Sequence, residues 1–145
     1  MTWEVGCWGR PGSNSAKIAA HVASRARLNL VDFFTQRGAS VPPRLIVVTP
    51  NHGDAEIQED VEKFLVARGR EVQRWVVLEI GNYYGFDDWS YGAREKIAAF
   101  LRKLGKGEEA LPGAGIDTLP TIDWVTLDRW CDEVVARATE AADVV

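Results

Sequence analysis

The sequence predicts a single α/β domain with a mainly parallel sheet, on three observations. Apolar runs of strand length alternate with segments whose apolar positions recur at helical spacing. Two of those runs, "RLIVVTP" and "QRWVVLEIG", are nearly unbroken, as strands covered on both faces are. No repeat and no second composition zone divides the 145 residues, a length at which one domain buries roughly two thirds of the surface of its unfolded chain. Residues 1–145 are therefore read as one domain.

Taken in order, residues 3 to 8, "WEVGCW", make a first strand, and Ser13 or Asn14 caps a helix with Ile18, Ala19, Val22 and Ala26 inward. "LNLVDFF" is a second short strand. "QRGASVPP" holds no regular structure, because its paired prolines and Gly38 exclude it. The connection to the third strand is thus about nine residues, where a parallel crossover takes a dozen or more. Extended, it reaches roughly 30 Å, enough for a strap but not for a covering helix. "RLIVVTP" is the third strand, and a helix with Ile57, Val61, Phe64 and Leu65 on one face runs to about Gly69. "QRWVVLEIG" is the fourth strand. "YGAREKIAAFLRKLG" is an amphipathic helix with Ile97, Phe100, Leu101 and Leu104 inward, "LPGAGIDTLPT" holds a weak last strand, and "DWVTLDRWCDEVVARATEAA" is the last helix.

Composition narrows the classes of function. A net charge of −4 argues against nucleic acid as a partner, which calls for a clustered basic face. Arg25, Arg27, Arg68, Arg70, Arg102 and Lys103 lie near helix ends and read as solvated caps. Cys7 and Cys131 form no C-x-x-C and read as reduced thiols. The opening "MTWEVGCW" has no basic stretch before a long apolar one, and every apolar run is short of a membrane span. A soluble, cytoplasmic monomer with no membrane partner is expected.

Open parallel sheets bind ligands beyond the carboxyl ends of their strands, which selects residues 9–15, 49–56 and 81–92. The first loop, "GRPGSNS", matches neither a Walker A nor a Rossmann pattern. It offers hydroxyls, an amide and backbone N–H groups at a helix start, a ready anion site, with Arg10 in reach to add a charge. A Ser/Asn cap with no ligand accounts for the same residues, and both readings stay open on this loop alone.

Three loops together resemble those of flavodoxins. Against the phosphate loop T-x-T-G-N-T, Asn14 matches, Ser15 stands for the last threonine and Gly12-Ser13 replaces Thr-Gly, with Arg10 where small hydroxyl residues are usual. "HGDAEIQEDV" resembles W-G-D-G-E-L-Q-D-D-F, sharing Gly53, Asp54, Glu56, Gln58 and Asp60, with His52 in place of tryptophan. "GNYYGFDDWSYGA" resembles the loop that stacks on the flavin, with Phe86 at the place of its tyrosine.

The resemblance implies a doubly wound five-stranded sheet of order 2-1-3-4-5 with helices on both faces. It also implies non-covalent FMN and a low-potential one-electron carrier rather than an enzyme. Arg10, Gly12, Ser13, Asn14 and Ser15 would then sit at the phosphate. Pro50, Asn51, His52, Gly53, Asp54, Gly81, Asn82, Tyr84, Phe86, Trp89 and Tyr91 would contact the rest of the flavin, with Phe86 or Tyr84 stacking on the ring. By the same resemblance, the Gly53-Asp54 peptide would turn its carbonyl to flavin N5 when that atom gains a hydrogen. His52 is either solvated or faces the ring, where a reduced anionic flavin would favour imidazolium.

Asp54, Glu56, Glu59, Asp60, Glu62, Asp87 and Asp88 suit a helix start and equally form an acidic rim for a basic reductase and basic acceptor proteins. Two alternatives share the scaffold: a flavoprotein that activates a manganese ribonucleotide reductase, to whose loop "GNYYGF" bears some likeness, and a flavin or quinone reductase. A cofactor-free interaction domain is a third reading.

Overall fold

The computed structural model describes residues 3–52, 56–81 and 92–138. The run Leu45-Ile46-Val47-Val48 lies in a strand, Arg44–His52, and alternates between two cores: Leu45 and Val47 face one, Ile46 and Val48 the other. All four are at most 1% exposed, which is why the run shows no polar alternation. This strand is β3. To one side lie β1 (Glu4–Cys7) and β2 (Asn29–Asp32). A two-residue β4 (Glu56–Ile57) folds back antiparallel onto the end of β3, and β5 (Arg74–Gly81) and β6 (Ala114–Asp117) complete the sheet. The order is β2-β1-β3-β5-β6, all parallel. Counting the parallel strands alone, this is the expected 2-1-3-4-5.

Helices cover both faces. On one, α1 (Asn14–Ala26) and α4 (Trp124–Trp130, continuing through a π-helical turn at Cys131–Val135) bury Ile18, Val22, Leu127 and Val135 against Val5, Ile46, Leu78 and Ile116. On the other, α2 (Glu59–Arg68) and α3 (Gly92–Lys103) bury Val61, Leu65, Ile97 and Leu101 against Leu45, Trp75 and Val77. Helix α1 ends with Arg27 in the left-handed region (φ 56°), its N–H bonded to Ala23 and Ser24 carbonyls, a closure glycine usually makes.

The β2–β3 connection is the expected strap. Phe33 N–H still donates to Cys7 O, after which the Asp32 carboxylate accepts from the N–H groups of Phe34 and Thr35 and turns the chain out of the sheet. The second strand therefore stops at Asp32 rather than running through Phe34. Ala39 and Val41 of the strap pack on the second core where a helix would otherwise lie. Arg68, at the end of α2, pins it by donating to the carbonyls of Arg37 (3.3 Å) and Ala39 (2.5 Å).

Three local expectations need correcting. Ile57 belongs to β4, not to the following helix, because β3 extends past Pro50 and the chain pairs back on it before Glu59 starts α2. The first strand ends at Cys7, and the Trp8 ring folds back over Gly6, where a Cβ would come within 2.8 Å of it. Arg25 and Arg68 are not merely solvated caps: Arg25 makes a two-pronged contact with Asp132, and Arg68 also bonds Glu71. His21 contacts Asp128 at 2.5 Å and lies against the Trp124 ring, joining α1 to α4.

Candidate functional site

The strand order turns back between β1 and β3, where open α/β sheets bind ligands, and a cleft of about 400 Å³ opens there. Its first wall is the loop from β1 to α1. Ser13 is the N-cap: its Oγ accepts from Ala16 N–H (3.2 Å) and donates to Arg10 O (2.7 Å), while its own N–H also goes to Arg10 O. Gly12 takes φ 85° to close this turn. A Cβ on Gly9 would lie 2.6 Å from Ser13 Oγ and 2.8 Å from Ser15 Cβ, so the loop folds against a bare backbone. Ser13 thus spends its hydroxyl on shaping the loop. The N–H groups of Asn14 and Ser15, in the first turn of a 13-residue helix, have no intrahelical acceptor. They and the exposed Arg10 make this wall anion-attracting.

The second wall is polar and incomplete. Asn51, on β3, and Gln58, between β4 and α2, both line the cleft. Among the described residues, the buried Asn51 Oδ1 and Nδ2 and Gln58 Oε1 have no hydrogen-bond partner, while Gln58 Nε2 reaches Trp8 O at 3.5 Å. An unmet buried amide atom costs about 1–3 kcal/mol, so these atoms fit a hydroxyl-bearing ligand lying between the walls. The far side is closed by Ile80, Gly81 and Thr118, whose N–H (2.7 Å) and hydroxyl (3.0 Å) both donate to Gly81 O.

Of the residues expected at a ligand, Arg10, Ser13, Asn14, Ser15, Pro50, Asn51 and Gly81 meet in this cleft, and Gly12 shapes the loop behind them. His52 ends β3, with its side chain outside the described residues. Gly53, Asp54, Asn82, Tyr84, Phe86, Trp89 and Tyr91 lie outside the described residues altogether. Gly9, Gln58, Ile80 and Thr118 line the cleft without having been named as ligand contacts. Gln58 was among the shared residues of the second loop, and Thr118 follows β6 at the same sheet edge, so one more application of the strand-end rule would have found it.

Among the described residues no group of three His, Cys, Asp or Glu side chains is placed to hold a metal ion, and no helix is long and apolar enough to cross a membrane. Cys7 and Cys131 are buried and free. Burial, helped by Asp128 and Asp132, pushes the Cys131 thiol up to about 12, far from a reactive thiolate.

No protein-family profile and no curated protein matches the chain. Solved structures do. A cysteine-to-alanine mutant of flavodoxin from Pseudomonas aeruginosa superposes with a TM-score of 0.66 at 20% identity, over 97% of this chain and 99% of that one. Oxidised flavodoxin 1 from Bacillus cereus gives 0.64 at 16%, over 91% and 96%. A Fusobacterium nucleatum flavodoxin bound to flavin mononucleotide gives 0.55 at 15%, over 84% and 74%. With its strand order and two-sided helical cover, the chain has the flavodoxin-like fold.

Proposed function

We propose that the chain is a one-electron carrier that holds FMN without a covalent bond. The observation that carries this reading is one cleft with an anion-attracting helix start on one wall and, on the other, buried amide atoms that have no partner among the described residues. FMN has the matching layout, with a phosphate at one end and a polyhydroxylated chain next to it. The structurally similar Fusobacterium nucleatum protein is a flavodoxin bound to flavin mononucleotide, which supports the choice.

In this reading the N–H groups of Asn14 and Ser15, the Ser15 hydroxyl and Arg10 hold the phosphate, and Ser13 keeps the loop in shape. Asn51 and Gln58 take the hydroxyls of the chain. FMN, when bound, supplies reversible one-electron chemistry. The flat ring needs aromatic walls, which residues 82–91 would provide through Tyr84, Phe86, Trp89 and Tyr91. The acids of α2 would form part of a docking rim for basic redox partners of a monomeric carrier. Two of them have local partners: Glu59 pairs with Lys63, which holds its carboxyl below the usual range, and Asp60 lies 3.8 Å from Arg37.

The decisive measurement is the visible spectrum of the purified protein with FMN added. The expected result is a bound flavin whose dissociation constant rises about tenfold in Ser15→Ala, the effect of one lost charge-assisted bond. A protein that takes up no FMN overturns the reading. Consumption of NAD(P)H by the flavin-loaded protein alone would make it a reductase instead.

A further inference from the structure

A second cavity, of about 160 Å³, lies between α2 and the strap and shares no lining residue with the cleft. On α2, Asp60, Lys63, Phe64, Ala67 and Arg68 recur at the spacing of one helix face and line one side of it. Phe33 and Arg37 come from the start of the strap, and Trp8 from the residue after β1. Where a covering helix would lie, the strap packs only short side chains, Ala39 and Val41, on the core and leaves this gap beside α2.

The floor of the cavity is aromatic. Trp8 and Phe33 stack with their centroids 5.1 Å apart, and Phe64 meets the two rings at 5.1 and 4.7 Å. All three residues are at most 7% exposed, and the buried Trp8 Nε1 has no hydrogen-bond partner among the described residues. An apolar cavity of about 150 Å³ holds one molecule of benzene. This one therefore takes a single six-membered ring.

The rim is cationic. Arg37, Lys63 and Arg68 line the cavity, and Asp60 is the sole carboxylate among the described residues that do so. The Arg37 side chain is 70% exposed and lies 3.8 Å from Asp60, while that of Lys63 is 67% exposed and pairs with Glu59. Pairs as exposed as these contribute little, and an incoming anion can compete for them. Arg68 is held more firmly. Its Nε donates to Glu71 and its Nη1 to the carbonyls of Arg37 and Ala39, which leaves Nη2 with no partner among the described residues. A guanidinium fixed in this way suits a planar carboxylate.

We propose that this cavity is a second ligand site, for a single-ring aromatic carboxylate: the ring packs on Trp8, Phe33 and Phe64, and the carboxylate meets Arg68 and Arg37 at the rim. The site stands apart from the FMN reading, since neither cavity uses a residue of the other.

Benzoate, benzyl alcohol and benzylammonium share one ring and differ in charge. Each is titrated into the purified, nitrogen-labelled protein, with the indole N–H resonance of Trp8 as the readout. Benzoate is expected to shift that resonance and to bind about fivefold more tightly than benzyl alcohol, with benzylammonium weakest. Arg37→Ala is expected to weaken benzoate by about fivefold and to leave benzyl alcohol unchanged. Ala67 is exposed on the helix, a position that suits leucine. Ala67→Leu puts a larger side chain into the cavity and is expected to abolish the response to all three probes with the circular dichroism of the fold kept.

An unmoved Trp8 resonance overturns the proposal, and so does a benzoate response that survives Ala67→Leu. Displacement of benzoate by FMN also overturns it, because the acid would then sit in the cleft. Equal binding of benzoate and benzylammonium leaves an aromatic hollow with no anion site, and the proposal falls with it.

Discussion

At Gly9 the space for a side chain is already taken by Ser13 and Ser15, and much of the site depends on that one missing methyl group. Gly9→Ala has to push the cap of α1 out of place. It is expected to raise the FMN dissociation constant at least tenfold while costing about 1–3 kcal/mol of stability, read by flavin titration and urea unfolding; unaltered affinity would mean the loop tolerates displacement. The polar loop itself was legible in the sequence, because Gly, Ser and Asn between an apolar run and a helical pattern have few other uses. Its internal bonding was not. Whether Ser13 offers its hydroxyl to a ligand or to Arg10 depends on backbone angles that composition does not report. His21 shows the same gap, since its partner Asp128 is 107 positions away and only the packing of α1 on α4 brings them together.

Among the elements, the strap was readable by counting residues, because a connection of that length between parallel strands leaves no alternative to extended chain. What holds it was not readable: Arg68 looked like an ordinary basic residue at a helix end. Truncation in Arg68→Ala leaves the Arg37 and Ala39 carbonyls without that donor. The expected cost is about 1–3 kcal/mol in chemical denaturation, with FMN affinity changed less than twofold, because the strap does not line the cleft. A large loss of FMN binding would show instead that the strap and the site are coupled. The hairpin of β4 on β3 was missed for a related reason. Two residues of antiparallel pairing carry no periodicity, and Ile57 fits a helical face as well as it fits β4.

For the whole molecule, strand order and two-sided burial followed from runs such as "RLIVVTP", in which every side chain is covered and no polar alternation survives. Because the cleft draws its walls from β1, β3, β5 and β6, a ligand that fills it bonds four strand ends at once. FMN at 100 times its dissociation constant is expected to add about 2.7 kcal/mol to global stability, or roughly 5–10 °C in Tm for a chain of this size, measurable by calorimetry with and without flavin. A Tm indifferent to FMN would mean that the folded protein does not bind it. The β1–α1 loop closes on its own hydrogen bonds, with Ser13 tying Arg10 to Ala16 before anything enters. A seat that is already made leaves little for the guest to rearrange on arrival, so substitutions around it should alter how long the flavin stays far more than how quickly it comes.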